Sequence, residues 1–272
     1  VKDCVQNGIP VLGIGGHVAG GEVVDCVFSG NRIAANVSDN NWGGGLHLAS
    51  GTVRRCVLYN KLLGFGRGGG MSMVGGLADS CVISNNITQY QTSGGGLGGG
   101  VFIAGGTLRN ALVKGNTAYR TSAGVGAGIY QTGGLIENCT VVTNRATHAA
   151  GTAGGLYATA GSTTNCIFAS NTSGGGTLAD DVLVTGTATI GFSRALELTP
   201  GVNGNITDDP RFGDAAAGNY TPASDSPCKD TGINQPWMVP ATDLAGKVRR
   251  VGRVDMGAYE SPTGGGTVFV VR

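Results

Sequence analysis

The sequence predicts an all-β protein: a right-handed, single-stranded parallel β-helix of about seven or more coils with an irregular C-terminal cap. One block of ten or eleven residues, such as 51–60, returns along most of the chain. Equivalent positions in successive blocks lie 22, 30, 25, 30, 28 and 27 residues apart. The blocks are rich in glycine and β-branched residues and poor in helix formers, which at this period is typical of a β-solenoid. The right hand is expected because parallel crossovers are right-handed.

The composition narrows the possible functions. Glycine supplies 52 of the 272 residues but follows no three-residue period, which excludes collagen. A net charge of +1 favours neither a nucleic-acid partner nor an anionic membrane surface. No apolar run is long enough to span a bilayer. We therefore predict no nucleic-acid partner, no membrane span and no cofactor. Because the first repeat is incomplete, we expect a mature or trimmed part of a longer protein.

Each coil opens with a strand that follows a run of glycines, as in Gly68-Gly-Gly-Met71-Ser-Met73. Alternation with a period of two points Met71 and its equivalents inward and the next residue outward. The outward residues of successive coils are His17, His47, Ser72, Phe102, Tyr130 and Tyr157. We take His17, His47, Phe102, Tyr130 and Tyr157 as candidate binding residues, because a row of rings can stack against sugar faces or a partner protein. The alternative is that neighbouring rings or loops cover them.

A second strand in each coil starts at a small apolar position. The members of this column are Cys4, Cys26, Cys56, Cys81, Ala111, Cys139 and Cys166. Because alanine replaces the thiol once, the position requires a small apolar group, and we expect buried free thiols rather than disulfides. A Gly-Gly or Ser-Gly pair before this strand supplies the positive φ of a tight corner.

An asparagine column closes the second strand. Its members are Asn31, Asn60, Asn86, Asn116, Asn144 and Asn171, with Asn60 one residue early. Asparagine tolerates the left-handed conformation, and stacked amides can hydrogen-bond from coil to coil. We therefore predict a structural role for this column. The connections that follow it vary in length and are expected to protrude on one flank.

Charged residues form a further outward column two residues before the cysteine position. Arg54, Asp79, Arg109 and Glu137 occupy successive coils with alternating sign. Opposite charges on neighbouring strands attract, so the pattern predicts an exposed ladder of salt bridges on the surface, modest in energy because it is solvated.

The chain divides into three parts by its pattern. Residues 1–204 carry the β-helix repeats, 205–260 hold most of the prolines with little periodicity, and 261–272 form a glycine-rich linker followed by a β-prone strand. A solenoid must cover its last coil, so 205–260 is expected to form an irregular cap.

Two family resemblances follow from these motifs. The paired Gly-Gly-x-[Leu/Val/Ile/Met] and [Phe/Leu/Ile/Val]-x-x-Asn pieces resemble the repeats of chlamydial polymorphic outer-membrane proteins, which form right-handed parallel β-helices in surface adhesins. The run Asp209-Pro-Arg-Phe212, Ser226-Pro-Cys-Lys-Asp230 and Arg253-Val-Asp255-Met-Gly-Ala-Tyr-Glu260 is similar to the choice-of-anchor Q domain of secreted bacterial proteins, although Cys228-Lys229 departs from its usual Ala-Ile. Both resemblances imply export and neither implies an agreed activity.

Three functions remain open from the sequence. The first is an exported, non-enzymatic structural or adhesive module at the bacterial cell surface or in an extracellular fibre. The second is a carbohydrate-binding or pectate-lyase-like protein, which requires a groove where Arg67 or Arg120 meets two or more carboxylates. The third is a self-assembling filament subunit that pairs its open first coil with strand 267–272 of another copy. Acidic residues are sparse in the coils and His17, His47 and His148 share no metal-ligand spacing, so we assign no catalytic residue and no metal site. The expected partners are a surface polysaccharide or another protein subunit.

Overall fold

The computed structural model describes residues 5–6, 12–33, 42–63, 66–90, 96–120, 125–149, 152–175 and 178–262. It is a parallel β-solenoid, as predicted, with almost no helix. A short strand, β1 (Val5–Gln6), comes first, and strand triplets then repeat in chain order. The triplets are β2 (His17–Val24), β3 (Val27–Ser29), β4 (Arg32–Ile33); β5 (Leu46–Arg54), β6 (Val57–Tyr59), β7 (Leu62–Leu63); β8 (Met71–Asp79), β9 (Val82–Ser84), β10 (Ile87–Tyr90); β11 (Val101–Arg109), β12 (Leu112–Lys114), β13 (Thr117–Arg120); β14 (Ile129–Glu137), β15 (Thr140–Val142), β16 (Arg145–Ala146); and β17 (Leu156–Thr164), β18 (Ile167–Ala169), β19 (Thr172–Ser173).

A partial last coil and the C-terminal segment contain the remaining elements. They are β20 (Leu178–Ala179), β21 (Val182–Val184), β22 (Thr189–Gly191), a 3-10 turn (Val202–Gly204), β23 (Phe212–Asp214), β24 (Asn219–Pro222) and a 3-10 turn (Pro236–Met238). About five turns lie between the first and the last strand triplet, which is slightly fewer than the seven or more coils expected.

Three sheets run along the solenoid, one for each strand of the triplet. The long sheet has the order β2-β5-β8-β11-β14-β17-β21, and β22 also pairs with β17. The cysteine sheet contains β3-β6-β9-β12-β15-β18, and the third sheet contains β1-β4-β7-β10-β13-β16-β19-β20. The sequence predicted two strands in each coil. The third strand was missed because it is short and lies at the start of connections that vary in length.

Two of the turns in each coil, one on either side of the cysteine strand, have a residue in the left-handed conformation. One precedes the cysteine position, as at Arg55 with φ 51°, and the other precedes the asparagine column, as at Asn60 with φ 54°. The glycine corner, for example Gly51 with φ 82°, lies inside the long strand and shifts its register without ending it in several coils. The left-handed residue is therefore the one before the asparagine column, so the left-handed conformation, one of the two reasons we gave for asparagine at the column itself, was wrong.

The core is a single apolar stack inside the coils. Leu46, Met71 and their equivalents from the long sheet meet Leu58, Ile83 and their equivalents from the cysteine sheet, and all four named side chains are fully buried. Because strands at the same position in successive coils are paired in register, each side chain packs on a chemically similar one above and below it.

The C-terminal segment, 205–262, differs from the predicted cap in its position. It packs along the outer face of the cysteine sheet, where Tyr220, Cys228 and Met256 form a second apolar cluster with Leu112 and Ile167. Outward residues of this sheet such as Leu112, Val142 and Ile167 are apolar, but the sequence carried no signal for what covers them.

The end of the last coil is closed by nearby residues. The carboxylate of Glu197 accepts hydrogen bonds from the backbone N–H groups of Asp181 and Val182 at 2.9 and 3.1 Å. The backbone of Asn203 accepts a further bond from Phe192. This part of the sheet edge is therefore already occupied within the chain. The strand that we predicted at 267–272 lies outside the described residues.

At the other end, the first repeat is not aligned as predicted. Val5 and Gln6 pair with Arg32 and Ile33 of the third sheet, rather than with the strand that follows Cys26. Four residues are too few to determine a register by pattern alone. Cys4 itself lies outside the described residues. No helix within the described ranges is long and apolar enough to cross a membrane.

Candidate functional site

The predicted ring column does lie in one register on the outer face of the long sheet. His17 pairs with His47, His47 with Ser72, Ser72 with Phe102, Phe102 with Tyr130, and Tyr130 with Tyr157. The column is nevertheless not a uniform exposed surface. Its middle members are buried, whereas His17 is exposed and the two tyrosines are half-buried.

The rings of the C-terminal half of the column stack on one another. The ring centroids of Phe102 and Tyr130 are 5.9 Å apart at an interplanar angle of 12°, and those of Tyr130 and Tyr157 are 5.2 Å apart at 20°. A ring that stacks face to face with its neighbour in the next coil offers solvent its edge. Sugars stack on free ring faces, so this geometry supports mutual covering of the rings more than a sugar platform.

The middle of the column is covered by two residues that sequence reasoning did not assign to the site. Trp42 contacts the rings of His47 and Phe102 edge-on, at centroid distances of 5.8 and 5.4 Å. The guanidinium carbon of Arg67 lies 5.1 Å from the Trp42 ring centre and 5.3 Å from that of Phe102. Trp42 and Arg67 belong to a line of isolated parallel bridges just before the glycine runs. In the sequence, the one indication of this arrangement was that both residues stand just before a glycine run. It was easily missed because the connections that end there vary in length.

The cysteine column lies inside the coils. Cys56, Cys81, Cys139 and Cys166 are fully buried and Cys26 is half-buried, all as free thiols. Each thiol lies within donor distance of the carbonyl two residues earlier, as from Cys56 to Arg54 at 3.3 Å. Burial raises the pKa of the Cys81 thiol to about 12, so the group stays protonated. Ser193 continues the column, and its hydroxyl bonds the equivalent carbonyl of Gly191 at 2.9 Å.

The asparagine column forms a continuous amide ladder. Nδ2 of Asn86 donates to Oδ1 of Asn116 at 3.0 Å, Asn116 donates to Asn144 at 2.9 Å, and Asn144 donates to Asn171 at 2.9 Å. Each amide also donates to a carbonyl of the preceding coil, as from Asn116 to Ile83 at 3.0 Å. The prediction that included Asn60 was wrong. Lys61 takes the ladder position, and its backbone N–H donates to Oδ1 of Asn86 at 3.2 Å.

The ladder ends on a buried ion pair. Oδ1 of Asp181 accepts the last amide bond from Asn171 at 2.9 Å, and Oδ2 lies 3.1 Å from Nη1 of Arg194. Arg194 also donates to the carbonyls of Phe168 and Asp208 at 2.6 and 2.8 Å. A carboxylate has no donor, so it can end a chain of amides only where a cation satisfies its other oxygen. The pair therefore closes the ladder and holds the start of the C-terminal segment.

The charge column does not form the predicted exposed ladder of salt bridges. Two of its members, Asp79 and Arg109, form one salt bridge beneath the C-terminal segment. Arg109 and Asp79 are 3.0 Å apart, with side chains only 19% and 11% exposed. The Arg109 guanidinium carbon lies 4.5 Å from the centre of the Trp237 ring. Arg54 lies 3.8 Å from Glu22 instead of pairing with Asp79. Burial raises the pKa of Glu137, the last member of the column, despite the nearby Arg109.

A second asparagine column, missed from the sequence, attaches the C-terminal segment. Asn110, Asn138 and Asn165 occupy the left-handed position before the cysteine column. Their amides donate to the carbonyls of Thr242, Asp255 and Ile233 at 3.3, 3.2 and 2.9 Å. An asparagine immediately before the cysteine position in three successive coils was the available signal. From the sequence alone, these asparagines indicate only a turn, because the repeat does not show which segment of the chain packs against them.

The sequence left open a polysaccharide-cleaving site at Arg67 or Arg120 and predicted no metal site. Arg67 packs against the rings of Trp42 and Phe102, and the side chain of Arg120 lies outside the described part of the chain. Within the described residues, no group of three or more His, Cys, Asp or Glu side chains is placed to hold a metal ion. The carboxylates of Glu22, Asp25 and Asp79 each lie within 3.8 Å of an arginine.

Comparison with known proteins gives no relative. No protein-family model matches the chain, and neither the curated proteins nor the solved structures searched contain a match.

Proposed function

We propose that this chain is an exported, non-enzymatic structural or adhesive module of the bacterial cell surface or of an extracellular fibre. One observation carries the proposal: the polar and aromatic columns along the coils are used in contacts between neighbouring coils. The amides of Asn86, Asn116 and Asn144 bond the next coil, and the Tyr130 and Tyr157 rings stack on each other. A chain whose repeated side chains hold coil to coil is suited to form a stiff rod.

The charged residues of the coils support the same function. Arg55 donates two hydrogen bonds of 2.7 Å to the carboxylate of Asp25, and Arg109 is paired with Asp79. A general acid or base must be free to exchange a proton with a substrate. Carboxylates engaged by arginine are better suited to holding strands together. The resemblance to surface adhesins and to secreted choice-of-anchor proteins supports export.

Two measurements test the proposal. Antibodies against the purified chain should label intact cells of the source organism, and labelling that requires permeabilisation would contradict export. The purified chain should also leave acidic polysaccharides uncleaved, measured as reducing ends and as the ultraviolet absorbance of unsaturated products. A heat-unfolded sample is the control, and product above that control would contradict a non-enzymatic role.

A carbohydrate-binding function is the second candidate, favoured by the half-exposed pair Tyr130 and Tyr157. Both side chains lie on the outer face of the long sheet, which Thr132 and Thr159 share with them by the alternation of the strand. A glycan array with Tyr130→Ala and Tyr157→Ala variants tests it. Binding that both substitutions reduce supports a sugar site at this pair. Absence of binding, or binding that neither substitution changes, removes it.

A further inference from the structure

Five side chains on the outer face of the long sheet form a cluster, which we call the Trp42 cluster: Trp42, His47, Arg67, Ser72 and Phe102, of which His47, Ser72 and Phe102 are buried and Trp42 and Arg67 are half-buried. His47, Ser72 and Phe102 are register partners on three consecutive strands. They are 4%, 0% and 2% exposed although this face of the sheet points away from the core. Among the described residues, Trp42 and Arg67 cover this part of the sheet. Since Trp42 touches the rings on both sides of Ser72, its indole lies over the space that the small serine leaves.

Three polar atoms of the Trp42 cluster are buried without a hydrogen-bond partner in the described part of the chain. They are Nδ1 of His47, Nε of Arg67 and Oγ of Ser72. A buried donor or acceptor that makes no hydrogen bond is costly, and such groups in native proteins usually mark a bound water or ion. Three of them in one cluster of five side chains therefore indicate a ligand.

The charge of the cluster indicates the kind of ligand. Arg67 is always protonated, and none of the ion pairs among the described residues involves it. Burial and the neighbouring His17 lower the pKa of His47 to about 4, so its ring is neutral at neutral pH and can donate from one nitrogen. The cluster holds one positive charge, hydroxyl and N–H donors, and no carboxylate. These groups suit an acceptor with a negative charge.

We propose that the Trp42 cluster binds one small anion of halide size, which accepts hydrogen bonds from Arg67 Nε and Ser72 Oγ beneath the indole of Trp42. A water molecule would satisfy the donors but would place no negative charge beside the half-buried guanidinium of Arg67. The close edge contacts of Trp42 with the His47 and Phe102 rings favour a small ligand over a larger oxyanion.

Tryptophan fluorescence tests the proposal in solution. A Trp237→Phe background leaves Trp42 as the only tryptophan. Sodium bromide replaces sodium gluconate at constant ionic strength, and we expect saturable quenching. Ser72→Ala and Arg67→Lys should each weaken the apparent affinity by about tenfold or more, because each removes a hydrogen bond to a charged ligand. Ser84→Ala, at a buried serine of the cysteine sheet, is the matched control and should leave the affinity unchanged.

Crystals of the unaltered chain grown in bromide give a second test that needs no variant. An anomalous difference peak in hydrogen-bond range of Arg67 Nε and Ser72 Oγ is expected. Quenching that rises linearly with bromide in every variant, or an anomalous map without a peak at the cluster, would overturn the proposal and leave a site for water only.

Discussion

The coils and the C-terminal segment hold together in opposite ways. The coils repeat one set of interactions, so that Asn86, Asn116 and Asn144 each make the same two amide bonds. The C-terminal segment depends on single buried groups. Arg249 is 0% exposed and donates to the carbonyls of Asp255 and Gly257 at 3.1 and 2.7 Å. Loss of one asparagine therefore removes one of several equivalent sets of hydrogen bonds. Loss of Arg249 removes a buried group that bonds two carbonyls of the C-terminal segment at once.

The same contrast appears in how each region treats its carboxylates. In the coils, Asp79 is paired with Arg109 and Asp181 with Arg194. In the C-terminal segment, Glu260 lies 3.4 Å from Arg249, yet burial outweighs that attraction and raises its pKa to about 8. The segment therefore contains an acid that the fold keeps protonated near neutral pH.

The largest effect should come from Arg249→Met. The change removes the cation beside Glu260 and leaves the buried carbonyls of Asp255 and Gly257 without their donor, and we expect a loss of about 3–5 kcal/mol in the free energy of unfolding. Chemical denaturation measures it. Arg250→Met, at the exposed neighbour, is the control and should change stability by less than about 0.5 kcal/mol. Equal effects of the two substitutions would contradict the special role of the buried guanidinium.

A smaller loss is expected from breaking one rung of the ladder. Asn116→Ala removes two donated bonds and two bonds accepted from Asn86, and should cost about 2–3 kcal/mol in unfolding free energy. Asn116→Asp should also destabilise, because its carboxylate would face Oδ1 of Asn144 without the arginine that accompanies Asp181. If both variants unfold like the parent chain in a denaturant titration, the ladder contributes nothing to stability.

The third prediction concerns pH. Because the pKa of Glu260 is about 8 in the folded chain and 4.5 as its ordinary value, the folded state holds a proton that the unfolded state releases. The contribution is complete below about pH 4.5 and is lost as the pH rises through 8, with a slope of at most about 1.4 kcal/mol per pH unit. Denaturation of the parent chain and Glu260→Gln from pH 5 to 9 tests this. A parent slope of the opposite sign, or one that Glu260→Gln retains, would count against it.

The smallest effect is expected in the cysteine column. Cys139→Ala should cost about 1 kcal/mol or less, because Ala111 already occupies the same position one coil earlier. Cys139→Ser should be tolerated as well, since Ser193 makes the equivalent bond to a turn carbonyl. Thermal unfolding of both variants measures the effect. A loss comparable to that of Asn116→Ala would show that the thiol packs more tightly than the Ala111 precedent indicates.

Much of the fold could be predicted because a solenoid repeats its chemistry. The alternation at Met71 and Met73 marked the inward face, and the recurrence of Cys56, Cys81 and Cys139 gave the period that the paired strands follow. The candidate site was harder to predict. The sequence placed Phe102 and Tyr130 in one column, but it could not tell stacked rings from free ones, since ring orientation depends on the side chain in the next coil.

By itself, the sequence determined the parallel solenoid, the column of small buried residues and the column of amides. Each of these patterns recurs at the repeat spacing, and every copy favours the same strand register. The tertiary structure alone decided that 205–262 lies along the cysteine sheet, that Asp181 and Arg194 end the ladder, and that Trp42 and Arg67 cover the middle of the ring column. These contacts join residues that do not recur at the repeat spacing. No periodicity can predict them, since their partners are set by packing.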